Sequence, residues 1–345
     1  MRIAIVNDVM MAVEAVRRVV IGSSGHQLAW VALDGEDAVA RCAADTPDLI
    51  LMDLTMPKMG GVEATRRIMA GSPCAIVIVT ANVDDNSSKV FEAMGAGALD
   101  AVNTPVLESP GATDGAAALL AKIETIRKLI GAAPPSRQVF SPAESGDSQE
   151  LSSGPLVVIG ASAGGPAALA KLLSQLPADF SAPIVIVQHV DSQFSQGLAD
   201  WLDYQTPLQV RLAQEGDRPA AGSVLLAAND NHLVFDNPTR LSYTRHPLES
   251  SYRPSVDVFF KSVANNWRNN VIGIILTGMG KDGAEGLRAL HEKGHHTIAQ
   301  DRASSAVYGM PKAAAELQAA NEILPLEQIG PRIAAVLAQK TKAHG

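Results

Sequence analysis

Short apolar runs alternate with amphipathic segments along the first third of the chain. The pattern predicts strands at 3–6, 27–32, 48–52, 75–79 and 98–102. It predicts helices at 12–20, 35–44, 62–70, 87–95 and 116–130. Strands that alternate with helices favour an α/β domain whose parallel sheet is covered on both faces. Polar residues that directly follow the strands should then gather at one edge of that sheet.

The residues that follow these strands are suited to phosphoryl chemistry. Asp8 follows the first strand, Asp53 the third and Thr80 the fourth. Two carboxylates at one sheet edge suit a cation such as Mg²⁺, which prefers oxygen ligands. A carboxylate can also accept a phosphoryl group, whose oxygens a metal ion neutralises during transfer. The alternative is that each side chain only caps a strand end or a turn.

The segment from Leu51 to Gly61, LMDLTMPKMGG, resembles the phosphorylation-site segment of response-regulator receiver domains. The resemblance covers residues 1–130 and implies a flavodoxin-like fold. It implies that Asp53 accepts a phosphoryl group from a chemosensory histidine kinase. It also implies that Asp8 and Asp53 hold Mg²⁺ and that Thr80 is the switch residue that senses the phosphoryl oxygen.

Two positions depart from the receiver pattern. The family usually has two acidic residues where this chain has Asn7 and Asp8, and a lysine where it has Thr104. One negative charge and one cation that would contact the phosphoryl group are therefore replaced by neutral side chains. Both departures bear on the strength of phosphorylation and of its readout. Because the cleft keeps Asp8 and Asp53, phosphorylation is still expected.

Apolar periodicity disappears between residues 131 and 154, where proline, serine and glycine are frequent. This composition predicts a flexible linker. We therefore expect a receiver domain at 1–130 and a second domain at 155–340.

The second domain begins with an apolar run that ends in the turn Gly160-Ala-Ser-Ala-Gly164. Gly-x-Ser-x-Gly between a strand and a helix, here predicted at 167–176, is the spacing of a nucleophile elbow. Such a turn exposes the Oγ atom of Ser162. Its N–H groups, with Gly164 as a candidate, would stabilise an oxyanion. The alternative is a glycine-rich turn with a surface serine.

Two further apolar strands, at 183–187 and 271–276, lead to His189 and to a turn that carries Asp282. In a doubly wound sheet these strand ends share one edge with Ser162. Serine needs an adjacent base, which histidine can supply, and an aspartate can fix the tautomer of the imidazole. We therefore predict a catalytic triad, although His189 alone could be an ordinary strand-end residue and Asp282 alone a helix N-cap.

Four short strands are predicted between these elements, at 209–212, 223–227, 232–235 and 241–244. The turn residues between them are typical of antiparallel hairpins. We therefore expect an antiparallel β excursion from a doubly wound α/β domain.

Several motifs of the second domain together resemble the catalytic domain of the CheB family of chemotaxis methylesterases. They are Gly160–Pro166, Gln188–His189, Tyr252–Asp257, Leu276–Gly283 and Ala306–Pro311. The resemblance implies hydrolysis of glutamate γ-methyl esters on the cytoplasmic part of methyl-accepting chemoreceptors, for adaptation in a two-component pathway. Many relatives also deamidate receptor glutamines.

The resemblance also assigns roles to residues. Ser162 is the nucleophile, His189 the base and Asp282 the residue that orients it, while Met279 and Gly280 line the site. The resemblance further implies that the catalytic domain needs no cofactor and that the unphosphorylated receiver obstructs the site. Asn7, Thr104, Ala163 and Val190 together point to the branch of the family that serves Wsp-type surface sensing.

Composition restricts the partners and the compartment. A net charge of -8 without a long basic run argues against nucleic acid and against an anionic membrane surface. The two cysteines, Cys42 and Cys74, have no metal-ligand spacing and fit a reducing compartment. The apolar run at 1–6 is too short for a signal peptide core, and no apolar run has the length of a transmembrane helix, so we expect a cytoplasmic protein that does not insert into membranes.

Two other functions are compared with the esterase. The turn at 160–165 could bind a dinucleotide, but it lacks the full glycine pattern, and no acidic residue closes the next strand. The second domain could also be a receiver-gated binding module without catalysis, which the intact Ser, His and Asp set disfavours. Tyr252 and Arg253 could contact an acidic receptor helix or form a packed turn.

Overall fold

The computed structural model describes residues 1–23, 25–81, 87–105, 112–130, 154–250 and 252–342. The chain divides into two compact units between residues 135 and 136, and each unit is described by itself. The predicted linker lies outside the described residues except for Gly154. No helix in the described ranges is long and apolar enough to cross a bilayer.

The first unit is a five-stranded parallel sheet with five helices. Its strands are β1 (Arg2–Val6), β2 (Gln27–Ala32), β3 (Leu49–Met52), β4 (Ala75–Thr80) and β5 (Asp100–Asn103). Its helices are α1 (Met10–Gly22), α2 (Gly35–Ala44), α3 (Gly61–Gly71), α4 (Ser87–Gly95) and α5 (Ala112–Ile130). The strand order is β2-β1-β3-β4-β5. The predicted receiver-like fold is confirmed, with element bounds that differ by up to four residues.

Alternate residues of the central strands build one side of the core of this unit. They form a buried cluster with α1 and α5 and include Ile3, Ile5, Leu49, Leu51, Val77 and Val79. Helix α1 contacts α5, whereas α2 contacts α3 and α3 contacts α4. Because the helices take up both faces of the sheet, its carboxyl edge is left for polar loops.

The second unit has a larger sheet. Its strands are β6 (Leu156–Ala161), β7 (Ile184–Gln188), β8 (Gln209–Leu212), β9 (Ser223–Leu226), β10 (His232–Asn237), β11 (Arg240–Thr244), β12 (Val271–Ile275), β13 (His296–Gln300) and β14 (Glu322–Leu324). Its helices are α6 (Gly165–Leu173), α7 (Ser195–Gln205), α8 (Val256–Asn266), α9 (Ala284–Glu292), α10 (Met310–Glu316) and α11 (Leu326–Lys342).

Seven of these strands form a parallel sheet in the order β14-β13-β12-β6-β7-β9-β8. From β6 the chain first proceeds to β7 on one side, and β12, β13 and β14 are later added on the other side. The strand order therefore reverses at β6, and such a switch point is where open α/β sheets bind their ligands. The carboxyl ends of β6, β7 and β12 meet at this point.

One predicted pairing is wrong. Strands β8 and β9 pair in parallel inside the main sheet and not as an antiparallel hairpin. The segment between them pairs with β11, since the N–H of Gly216 donates to the O atom of Leu241 and the N–H of Leu241 donates to the O atom of Asp217, at 2.9 and 2.8 Å. This detour replaces the tight turn that a hairpin needs. The predicted antiparallel excursion is confirmed for β10 and β11.

Candidate active site

Ser162 lies in the tight turn between β6 and α6, at the switch point of the sheet. Gly164 in this turn has a φ of 73°, a left-handed conformation that glycine adopts at little cost. A Cβ atom at this position would also come within 2.6 Å of the Cβ atom of Ala306. The glycine therefore permits the turn that carries the serine out of the strand.

Thr277, a buried residue after β12, fixes the orientation of this turn. Its Oγ1 atom donates to the carbonyl O of Ala163 at 3.0 Å and accepts from the N–H of Val307 at 2.8 Å. In a trans peptide the C=O and the N–H point in opposite directions, so the N–H of Gly164 points away from Thr277. This N–H makes no hydrogen bond with any described residue and is free to bind an oxyanion.

His189 follows β7 and contacts Asp282 directly. The Nε2 atom of His189 lies 2.8 Å from Oδ2 of Asp282. The two side chains are only 12% and 5% exposed. The ends of β7 and β12 therefore bring together the predicted base and the predicted carboxylate.

The N-terminus of α8 holds the carboxylate of Asp282. Its Oδ1 atom accepts from Oγ of Ser255 at 2.7 Å and from the N–H of Asp257 at 3.1 Å. Its Oδ2 atom accepts from the N–H of Val256 at 2.7 Å. Burial alone would raise the pKa of Asp282, but the hydrogen bonds that it accepts, one of them from His189, outweigh burial and hold this pKa below its ordinary value. Because the carboxyl is ionised, the Nε2–H of His189 is the donor.

The second ring nitrogen of His189, Nδ1, does not take part in the contact with Asp282. With Nε2 protonated, a neutral imidazole presents Nδ1 as an acceptor. This Nδ1 is buried and has no hydrogen-bond partner among the described residues. An unsatisfied polar atom in the interior needs an explanation, and a catalytic role is one.

Ser162 is adjacent to His189 but is not hydrogen-bonded to it. Ala161 pairs with Gln188 across β6 and β7, so Ser162 and His189 directly follow the ends of two paired strands, and such strands lie about 5 Å apart. No hydrogen bond joins Ser162 to His189 in the part of the chain that the structure describes. Catalytic hydrogen bonds are often loose before substrate binds.

Gln188 ties the two strand ends together. Its Nε2 atom donates to the carbonyl O of Ser162 at 2.8 Å and to that of His189 at 2.9 Å. The residue is buried. A single amide therefore sets the spacing between the backbones of Ser162 and His189.

A carboxylate beside the N-terminus of each of the helices α8 and α9 accepts hydrogen bonds from the N-terminus of the other helix. The N-cap of α9 is Gly283, and Asp282 binds α8 instead. Asp257, in the first turn of α8, accepts from the N–H of Gly286 in α9 at 2.7 Å. The alternative that Asp282 is the N-cap of the helix that follows it is therefore wrong.

The turn after β12 lies against the serine. A Cβ atom at Gly278 would come within 2.8 Å of the Cβ atom of Ser162. The N–H groups of Met279 and Gly280, the next residues, make no hydrogen bond with the residues described. Both residues thus lie in a turn that borders the site.

Sequence reasoning missed the roles of two residues, Ser255 and Gln188. Ser255 precedes an apolar helical run, which is a signature of an N-cap, and its Oγ does accept from the N–H of Val258 at 3.3 Å. That signature locates the start of α8, but it cannot report the second bond to Asp282. For Gln188 no local pattern signals the bridge between two strands.

In the first unit, Asp53 and Asp8 lie at the ends of adjacent strands. Val6 of β1 pairs with Met52 of β3, so the residues that follow these strands are neighbours. Asp53 is buried, and burial raises its pKa to about 6, with a smaller increase from the charge of Asp8. A divalent cation would neutralise this pair of carboxylates, and the residues therefore fit Mg²⁺.

Three neutral residues, Asn7, Thr80 and Thr104, also lie at this edge of the sheet. The Oδ1 atom of Asn7 accepts from the N–H of Val9 at 2.8 Å, so its amide oxygen supports the turn after β1. Thr80 is buried at the end of β4, and its carbonyl O accepts from the N–H of Thr104 at 2.9 Å. The predicted switch residue and the residue that replaces the lysine are therefore neighbours.

Comparison with known proteins gives two family matches. The CheB methylesterase family matches residues 157–333, and the response regulator receiver domain matches residues 3–109. A protein-glutamate methylesterase/protein-glutamine glutaminase of Burkholderia lata is 58% identical over 97% of this chain and 99% of its own length. A protein of that name from Pseudomonas aeruginosa is 56% identical over 97% of this chain and 99% of its own.

A solved structure is similar to the second unit. The crystal structure of the Thermotoga maritima CheB methylesterase catalytic domain covers 54% of this chain and 100% of its own, with 36% identity and a TM-score of 0.52. The family matches follow the predicted order of the domains, and the chain therefore belongs to the CheB methylesterase family and begins with a response regulator receiver domain.

Proposed function

We propose that this protein is a serine esterase that hydrolyses glutamate γ-methyl esters on the cytoplasmic helices of a methyl-accepting chemoreceptor. The observation that carries the proposal is the 2.8 Å contact between His189 and Asp282 beside the Ser162 turn. An imidazole that donates from one nitrogen and keeps the other free is the base that a serine nucleophile needs. The names of the relatives support the same substrate.

In the first step, Oγ of Ser162 attacks the ester carbonyl, and Nδ1 of His189 accepts the serine proton. The ionised carboxylate of Asp282 stabilises the imidazolium. The N–H of Gly164 faces the negative oxygen of the tetrahedral intermediate, with those of Met279 and Gly280 as further candidates. The intermediate collapses to an acyl-enzyme, and methanol leaves with the proton from His189.

In the second step, His189 takes a proton from water, and the hydroxide attacks the acyl-enzyme. Collapse of this intermediate returns a proton to Ser162 and releases the glutamate side chain. A glutamine substrate would follow the same path with ammonia as the first product. The second activity in the names of the relatives supports this deamidation.

The receiver unit would regulate the esterase. Asp53 would accept a phosphoryl group from a chemosensory histidine kinase, and Asp8 and Asp53 would hold Mg²⁺, which neutralises the phosphoryl oxygens. Thr80 would sense the phosphoryl group, and the unphosphorylated receiver would obstruct the catalytic site. The domain bounds 1–130, 131–154 and 155–340 belong to this proposal, and the Wsp-type branch stays a prediction.

The test is methanol release from a methylated receptor, with and without a small phosphodonor and Mg²⁺. Ser162→Ala should lower the rate by roughly 10⁶-fold, to background. Ser174→Ala is the matched control, because Ser174 is an exposed residue just after the same helix, α6. Wild type and control should release methanol, and the phosphodonor should raise both rates.

Each result has a distinct meaning. Methanol release that does not respond to the phosphodonor would keep the esterase and remove the phosphoryl gate. Failure of wild type to release methanol from any methylated receptor would contradict the proposed esterase activity. The receiver-gated binding module without catalysis would then be the remaining function. Release by Ser162→Ala at the rate of wild type would remove Ser162 as the nucleophile.

A further inference from the structure

Tyr252 makes a close and specific contact with His189 that the mechanism above does not use. The two rings are stacked, with their centroids 4.6 Å apart and their planes inclined by 5°. Aromatic pairs at this separation are stabilised by more than the burial of their apolar surface. One face of the imidazole is therefore covered by a phenol ring.

The backbone around Tyr252 is tied to the triad. Three residues later, Ser255 donates to the carboxylate of Asp282, and the N–H of Val256 donates to the same group. The carbonyl O of Tyr252 itself accepts from Oγ of Ser250 at 3.0 Å. The segment from 252 to 256 therefore holds the base by its face and the carboxylate by both of its oxygens.

His189 needs such a contact because its ring has one hydrogen bond to the described residues, which holds only the Nε2 end. The bond from Nε2 to Asp282 holds that nitrogen but still permits small rotations of the ring plane through χ1 and χ2. Such a rotation would move Nδ1 out of the plane in which it meets the Oγ atom of Ser162. A parallel stack on one face opposes that rotation.

The stack also favours the charged intermediate. When His189 takes the serine proton, the resulting imidazolium lies within 6 Å of the centre of the Tyr252 ring, and a cation over an aromatic face is stabilised there. The Oη atom of Tyr252 makes no hydrogen bond with the residues described. The ring, and not the hydroxyl, is therefore the active part of this side chain.

On the basis of the proposed function, we infer that Tyr252 is a positioning residue that acts through His189. It orients the imidazole towards Ser162 and stabilises the imidazolium. Its contribution appears in the turnover rate and not in the binding of the receptor.

The test compares Tyr252→Phe, which keeps the ring, with Tyr252→Leu, which keeps apolar cover without a π-face. The full chain is activated with a small phosphodonor and Mg²⁺. Two rates are measured: methanol release from methylated receptor, and labelling of Ser162 by a fluorophosphonate, in which Oγ displaces fluoride at phosphorus. Tyr204→Leu is the control, because Tyr204 is 87% exposed on α7.

We expect Tyr252→Leu to lower kcat and the labelling rate by roughly two- to thirtyfold, with KM unchanged. Tyr252→Phe should keep both rates within about twofold of wild type. Thermal unfolding of each variant checks that it is folded, and where Tyr252→Leu is not folded, Tyr252→Met takes its place as a variant with apolar cover and no π-face.

Three results would overturn the inference. They are wild-type rates for Tyr252→Leu, equal losses for Phe and Leu, and a change in KM without a change in kcat. Labelling needs no receptor, so it separates this inference from the proposed function. Unlabelled Ser162 in wild type would contradict the proposed function itself.

Discussion

At the residue scale, the carboxyl of Asp53 destabilises the receiver unit when it is ionised. Burial and the charge of Asp8 raise the pKa of Asp53 from 3.8 to about 6. An unfolded chain therefore loses this proton before the native chain does. Stability falls as the pH rises from 3.8 to about 6, and the rise in pKa corresponds to about 3 kcal/mol at neutral pH.

Asp53→Asn should therefore stabilise the receiver unit at pH 7 in buffer without Mg²⁺. The gain should be as much as about 3 kcal/mol and should shrink as the pH falls towards 4. Mg²⁺ should raise the melting temperature of wild type and leave that of the variant almost unchanged, because the ion neutralises the same charges. Differential scanning calorimetry of the full chain measures both effects.

Glu36→Gln is the control for this experiment, since Glu36 is an exposed carboxyl on α2. It should change neither the melting temperature nor the response to Mg²⁺. An Asn variant that Mg²⁺ stabilises as much as it does wild type would show that the ion binds elsewhere.

At the element scale, the exchange of acceptors between α8 and α9 links stability to the site. Asp257 accepts from the N–H of Gly286 at 2.7 Å, while Asp282 accepts from the first N–H groups of α8. Behind them, Nδ1 of buried His232 accepts from the N–H of Ser255 at 3.2 Å. Burial lowers the pKa of His232, which keeps this ring neutral and able to accept.

Asp257→Ala should destabilise the second unit by about 1–2 kcal/mol, because α9 loses its acceptor. In a unit of this size that corresponds to a fall of roughly 2–8 °C in melting temperature. Turnover should fall less than tenfold, since the backbone N–H of Asp257 still donates to Asp282. Calorimetry and methanol release test the two halves of this prediction.

The matched control is Asp236→Ala, because Asp236 is an exposed carboxyl on β10. It should leave both quantities unchanged. A loss of turnover in Asp257→Ala as large as that in Ser162→Ala would contradict this prediction. It would mean that Asp257 is needed for catalysis and not only for the stability of the second unit.

The same elements explain how much could be predicted. Hydrophobic pattern predicts most strands, and a parallel sheet directs the ends of β6, β7 and β12 to one edge, so Ser162, His189 and Asp282 could be found from their positions after strands. The parallel pairing of β8 with β9 could not be predicted, because it depends on hydrogen bonds between β11 and the segment that joins β8 to β9. The bond from Ser255 to Asp282 and the stack of Tyr252 on His189 join residues far apart in sequence, and no local pattern reports them.

At the scale of the whole molecule, the chain combines a response regulator receiver unit with a methylesterase unit. A relative of the second unit has been solved as a separate domain, all of which this chain matches. The receiver would then act on a catalytic fold that is already complete.

A chain that begins at residue 155 should therefore release methanol without a phosphodonor, at a rate at least equal to that of the phosphorylated full chain. Full-length Asp53→Asn should stay at the unphosphorylated rate under all conditions. Methanol assays on the three proteins check this expectation. A truncated chain that is folded but slower than the unphosphorylated full chain would mean that the receiver activates the esterase and does not obstruct it.

The carboxylate of Asp282 lies against the N-terminus of α8, and this has a practical consequence for making an inactive protein. Substitution of this aspartate would remove the acceptor of three protein donors as well as the partner of His189. The resulting loss of signalling in a cell could reflect a smaller amount of folded protein instead of missing chemistry. Ser162, whose side chain makes no hydrogen bond with the described residues, is the better position for a form that still captures its receptor.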